Sequence, residues 1–297
     1  MNAGYSSTVE DFLTCNPDTV VGVLSRQIAA SGISQQRSKQ ISVWVHQVGV
    51  LKKALTEITS LIGKNIDSWN LVLEYPIPRR QKRPDVLILT DSMIFVVEFK
   101  FGATTYDAAS RWQAEDYALN LRDFHAESFG RVIVPVLCAT YARPIEGQEF
   151  HSNGSLVASL IRANSTNLGT LLATSYQTLR DSCDSEVLNA NAWLSSAYRP
   201  TPTIIEAAET LYENHSVRDI SHNYAKNLSA TTDMVAQAIH SSKNQKKRTL
   251  ILITGVPGAG KTLTGLNVVH DPSIRSKEGP SGIFLSGNGP LVSVMKQ

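Results

Sequence analysis

Apolar residues along the chain follow two periods, and the switches between them set the predicted elements. In residues 41–62, Val45, Val48, Leu51, Leu55, Ile58 and Ile62 recur at steps of three and four, which predicts an amphipathic helix. Three short runs rich in Val, Ile, Leu and Phe follow at 71–75, 85–89 and 93–99 and read as strands. Thr90, Asp91 and Ser92 make a tight turn between the last two, so these are expected to pair as a hairpin. A helix is expected over 106–124. Residues 131–140 (RVIVPVLCAT) read as a further buried strand, with Pro135 marking an edge or a bulge, because proline brings no N–H to a ladder. The first forty residues are polar and mixed apart from a helical stretch at 20–30.

The pattern changes near Tyr198. The stretch Tyr-Arg-Pro-Thr-Pro-Thr reads as a linker. Helices are expected at 204–214 and 231–241, then a polar, basic segment to Arg248. The short apolar run 249–254 (TLILIT) fits a central parallel strand, followed by a helix at 263–269, a strand at 282–285 and a helix start near Pro290. The organisation expected is a first domain at 1–195, a linker with helices at 196–248 and a short final domain at 249–297.

Composition narrows the function classes. The 297 residues carry a formal net charge of +2, with 42% hydrophobic and 18% charged residues. Bulk charge therefore cannot drive nucleic-acid binding, and any such contact must come from local patches. Cys15, Cys138 and Cys183 are far apart and form no CxxC pair, so neither a zinc knuckle nor a disulfide framework is indicated. The sequence shows no secretory leader and no apolar run long enough to span a bilayer, so a cytoplasmic setting is expected.

Candidate chemistry sits on the expected hairpin. Glu98 and Lys100 lie two apart on a strand and point to one face, while Phe99 points to the other. Asp85 opens the neighbouring strand, so pairing can bring its carboxylate near Glu98. Two carboxylates at one spot repel unless a cation sits between them, and oxygen ligands suit Mg²⁺ or Mn²⁺. Such an ion polarises phosphate and activates water, and the Lys100 ammonium adds positive charge beside it. An acid and a lysine on one strand are commonly only a solvated face. Here they close the strongly apolar run IFVVEFK, where casual charge is disfavoured. On the next helix Gln113 and Tyr117 are four apart and share a face. Arg79, Arg80, Gln81, Lys82 and Arg83 form a basic cluster just before Asp85, suited to a phosphate backbone or simply to a solvated turn.

Pro84-Asp85, twelve intervening residues, Glu98-Phe99-Lys100 and the Gln113-xxx-Tyr117 helix together resemble the PD-(D/E)XK nuclease superfamily, and the last element its RecB-type exonuclease branch. The resemblance implies a restriction-endonuclease-like mixed sheet flanked by helices. It also implies Asp85 and Glu98 as metal ligands with the Phe99 carbonyl as a third, and Lys100 as the catalytic lysine. The superfamily often adds a glutamate ligand from an earlier helix; Glu57 is the candidate, and Glu74 competes for the role. DNA is the expected substrate, in preference to RNA.

A second constellation lies in the final segment. Gly255-Val-Pro-Gly258-Ala-Gly260-Lys261-Thr262 is G-xxxx-G-K-T between an expected strand and an expected helix, the arrangement of a phosphate-binding loop. Its glycines let backbone N–H groups wrap phosphate, Lys261 reaches the terminal phosphates of ATP, and Thr262 ligates Mg²⁺. The stretch from Tyr198, this loop and the segment from Leu285 to Val294 resemble the Schlafen group 3-like DNA/RNA helicase family. Only the start of that motor is covered, so a partial P-loop domain is expected. ATPase activity of the chain alone is then not expected, and a second copy or a partner chain would complete the motor. The alternative function is a nucleotide- or nucleic-acid-binding module that does not hydrolyse.

Overall fold

The computed structural model describes residues 3–30, 37–63, 66–77, 83–152, 156–183, 187–198, 225–255 and 261–271. The chain divides into two compact units, Met1–Tyr198 and Arg199–Gln297.

The first unit is a mixed α/β layer structure. Its strands are β1 (Tyr5–Thr8), β2 (Asn70–Leu73), β3 (Val86–Leu89), β4 (Met93–Lys100), β5 (Val132–Ala139) and β6 (Ile161–Ala163). Its helices are α1 (Val9–Thr14), α2 (Pro17–Ala30), α3 (Arg37–Ile62), α4 (Ala108–Phe124), α5 (Leu168–Leu179) and α6 (Ala190–Ser195). The sheet follows chain order from β1 to β6. The first four strands pair antiparallel, and β4, β5 and β6 pair parallel. Thus β4, α4 and β5 form a crossover unit next to the β3–β4 hairpin, whose turn is closed by the Thr90 N–H and hydroxyl on the Met93 carbonyl.

Alternation along β4 explains the two layers. Met93, Phe95, Val97 and Phe99 enter a core shared with Phe12, Trp44, Leu51, Leu55, Ile58, Leu172 and Tyr176. Ile94 and Val96 enter a second core with Leu87, Leu89, Tyr117, Leu121 and Trp193. Every residue of β5 is buried, as a parallel strand covered on both faces requires. Helix α4 starts where Asp107 accepts the Ser110 N–H at 2.9 Å, a side-chain cap on an otherwise unpaired donor. Helix α5 packs against α3 at Gly169, where a Cβ would stand 2.7 Å from the Ala54 carbonyl and 2.5 Å from Glu57 Oε2.

Pro135 occupies an interior strand, not an edge. Ile133 bridges Val157, whereas the β5–β6 ladder begins at Val136 opposite Ile161. The partner side therefore advances one residue further than β5, a bulge-like break in register. Ile133 donates to and accepts from that side, and by alternation Pro135 faces it too. The missing N–H thus falls where the ladder is already interrupted. Strands β1 and β6 and helices α5 and α6 have no counterpart among the sequence expectations. β1 reads YSST, a hydroxyl on all four residues, and β6 spans only Ile161–Ala163.

In the second unit the described helices are α7 (Ala225–Gln245) and α8 (Lys261–His270). The strand expected over 249–254 is not formed: these residues are coil, with Leu250 83% and Leu252 79% exposed. A parallel strand exists only by pairing with neighbours, and among the described residues none runs beside it. The expected elements at 204–214, 282–285 and 290, the linker prolines, Arg79, Arg80, Gln81, Lys82, Gly258 and Gly260 lie outside the described residues. No described helix is long and apolar enough to cross a membrane.

Candidate active site

Register brings three acids to one level of the sheet. Leu73 pairs with Val86, and Val86 with Val97. One residue further, the Glu74 N–H donates to the Asp85 carbonyl at 3.0 Å, and Asp85 comes opposite Glu98. Alternation back from Leu87 and forward from Val96 puts Asp85 and Glu98 on the α4 face. Asp85 is half-buried; Glu98 is only 4% exposed.

The surrounding hydrogen bonds fix these groups. Asp85 Oδ2 accepts the Phe99 N–H at 2.7 Å. Lys100 Nζ donates to Glu98 Oε1 at 2.8 Å and to Gln113 Oε1 at 2.9 Å. Gln113 Nε2 donates to the Tyr117 hydroxyl at 3.0 Å. The helical spacing of Gln113 and Tyr117 thus becomes a chain of side chains running from α4 to the strand that carries the acid. Glu98 Oε2 is buried without a hydrogen-bond partner among the described residues. Continued two positions, the register sets Pro84 opposite Phe99. Proline has no N–H to give the Phe99 carbonyl, which leaves that oxygen available at the same sheet end.

The electrostatics follow from burial and crowding. Asp85 is pushed well above the usual carboxylate range by desolvation and then by the charges of Glu98 and Glu74. Desolvation also raises Glu98, while Lys100 opposes it. Burial raises Glu74, against the hydrogen bond from Trp44. Tyr117 is pushed up to about 12 by desolvation, so its hydroxyl keeps its proton. Among the described residues the cluster is acidic, with the Lys100 ammonium within it and the charge of Arg83 acting on Glu74, and its fully anionic form is costly without further positive charge.

Of the two extra glutamates, the structure brings Glu74 to this cluster and leaves Glu57 elsewhere. The Glu57 carboxylate accepts from the Thr170 hydroxyl at 2.5 Å, on the α3–α5 contact, against the opposite face of the sheet. A helix of the right position does not suffice; the face decides. Glu74 has φ +51°, rare for a non-glycine residue, and its Oε1 accepts the Trp44 Nε1–H at 2.9 Å. Trp44 has no sequence signal for this role, since on α3 it reads as an ordinary core ring. Among the described residues no three of His, Cys, Asp and Glu form a ligand set by side chains alone.

In the second unit Lys261 opens α8, and its Nζ donates to the Gly255 carbonyl at 2.7 Å. The lysine thus spans the loop from its last residue to its first glycine. Thr262 is the second residue of the helix.

Residues 248–297 match the family model of the Schlafen group 3, DNA/RNA helicase domain. That segment is similar to a nucleic-acid helicase domain, and it contains the G-xxxx-G-K-T loop. No curated protein and no solved structure matches the chain.

Proposed function

We propose that the first unit is a metal-dependent nuclease that cleaves phosphodiester bonds of DNA, joined to an ATP-binding helicase-like segment; defence against foreign DNA is a role in keeping with that pairing. The observation that carries this reading is the buried Oε2 of Glu98, a residue only 4% exposed, which has no hydrogen-bond partner among the described residues and stands beside the half-buried Asp85. A buried carboxylate oxygen without a donor is costly, and a hard divalent cation such as Mg²⁺ or Mn²⁺ relieves it. Asp85, Glu98 and the Phe99 carbonyl supply oxygen donors of the type such ions take. When bound, the ion would supply Lewis acidity toward the scissile phosphate and a more acidic water.

The chain's own groups do the rest. The Phe99 N–H orients the Asp85 carboxylate. Lys100 has a third N–H beyond its two bonds and directs positive charge at the developing charge on phosphate. Gln113 and Tyr117 hold the lysine in place. The core order, α3 followed by β2, β3, β4, α4 and β5, supports the PD-(D/E)XK resemblance.

The test is cleavage of labelled DNA in Mg²⁺ or Mn²⁺, with Asp85→Ala and a chelator control. Activity lost in both controls supports the proposal; activity surviving in chelator overturns it. A second reading, a binding module that does not hydrolyse, draws on the lack of a three-residue ligand set among the described residues. Tight ATP binding by a chain that cleaves nothing would favour it.

A further inference from the structure

Three aromatic rings stand exposed in a row at the end of the sheet that carries Lys100. Phe101, the next residue, is 44% exposed, and Tyr141, just past β5, is 60% exposed. The Phe101 ring centroid lies 4.6 Å from that of His46 on α3 and 6.1 Å from that of Tyr141. Exposed aromatic area is unfavourable in water; Phe12, Trp44, Tyr75, Phe95 and Trp193 are buried, whereas Trp112 at 70% and Phe129 at 74% are exposed like this row.

The row is also held still. The Thr140 N–H donates to the Lys100 carbonyl at 3.2 Å, and the Tyr141 N–H to the Ala103 carbonyl at 3.0 Å. The Gly102 N–H donates to Thr140 Oγ1 at 2.9 Å, and Gly102 takes φ +76°, which a side chain there would resist. Three hydrogen bonds therefore tie the turn bearing Phe101 to the strand end bearing Tyr141. A rigid platform loses little freedom on binding. The exposed Arg143 on the Tyr141 loop supplies a cation for phosphate.

We infer that His46, Phe101 and Tyr141 form a stacking platform for unpaired bases of single-stranded DNA, which leads the strand to the acidic centre. The inference rests on the nuclease reading for its substrate. Every base offers a π-face, so such a platform grips a strand without reading its sequence, while paired bases within a duplex are already stacked. The centre would then prefer single strands or frayed ends to blunt duplex.

Binding and cleavage separate the two claims. Fluorescence anisotropy of the full chain with a labelled single strand of about 12 nucleotides, in chelator, reads the platform alone. Phe101→Leu and Tyr141→Ala should each weaken that binding roughly tenfold, whereas Phe101→Trp should keep it, which excludes misfolding of the turn as the cause. Asp85→Ala should abolish cleavage in Mn²⁺ and leave binding intact. A wild-type chain that grips the strand through these rings yet never cleaves defeats the nuclease reading and leaves the platform standing. The platform itself is overturned if wild type does not bind the strand, or binds blunt duplex equally well. It is also overturned if the Leu and Ala variants bind as wild type does, or if Phe101→Leu only dissolves a dimer.

Discussion

Asp85 Oδ2 accepts the Phe99 N–H at 2.7 Å, so the first acid is pinned to the strand that carries the second. The bond favours the charged carboxylate, but burial and the neighbouring charges of Glu98 and Glu74 push the other way and win. The site therefore stores repulsion that a cation can release.

That repulsion sets a pH dependence. The Asp85 and Glu98 pKa values are raised on folding, so the folded state holds more protons than the unfolded chain above pH ~4. Stability from this pair is then fully present below the ordinary carboxylate pKa and is lost as pH rises through the raised values. His125 acts oppositely: burial lowers it to about 4, so its contribution grows as pH rises from there toward ~6.5. Melting curves of wild type and Asp85→Asn isolate the acids. The variant should gain on wild type as pH rises, and Mn²⁺ should raise the wild-type melting temperature more at pH 8 than at pH 5.

Lys100 is bound to both Glu98 and Gln113, and its removal should act on rate more than on binding. Lys100→Ala should lower cleavage by about 10²- to 10³-fold, the scale for loss of a group stabilising transition-state charge. Gln113→Ala should lower it less, because the ammonium remains but loses its tether. Single-turnover cleavage in Mn²⁺ measures both. A Lys100→Ala variant that cleaves normally would remove the lysine from the mechanism.

Glu57 and Glu74 make a paired test. Glu57→Gln should leave cleavage unchanged, since its carboxylate faces Thr170 on α5. Glu74→Gln should change the metal concentration needed for half-maximal rate, because Glu74 borders Asp85 and Glu98. Equal effects from the two would contradict the geometry.

Gly169 tests the layer that supports the site. A Cβ there meets backbone at 2.7 Å, which cannot rotate away. Gly169→Ala should cost about 1–3 kcal/mol through a shift of α5 on α3, read by denaturant unfolding.

Lys261→Ala should abolish ATP binding, measured by titration with labelled nucleotide, and leave metal-dependent cleavage intact. Loss of both activities would mean that the two units depend on each other.

How much of this was readable beforehand follows from the range of each interaction. Helix α3, the hairpin, α4 and β5 were legible because their periods are local and strong. The likeness of residues 248–297 to a helicase domain also lies in the letters, Gly255 to Thr262 above all. The strand expected at 249–254 is coil because pairing is a property of neighbours, and among the described residues none runs beside it. The sequence alone nominated the candidate residues Asp85, Glu98, Lys100, Gln113 and Tyr117, by type, spacing and family resemblance. Tertiary structure decided which glutamate joins them. It gave Glu74 the place through strand register and a positive φ, and turned Glu57 toward α5. It also lined up His46, Phe101 and Tyr141 from three separate parts of the chain. One-dimensional spacing fixes the face a residue shows within its own element; what meets that face depends on packing between elements, which no local pattern encodes.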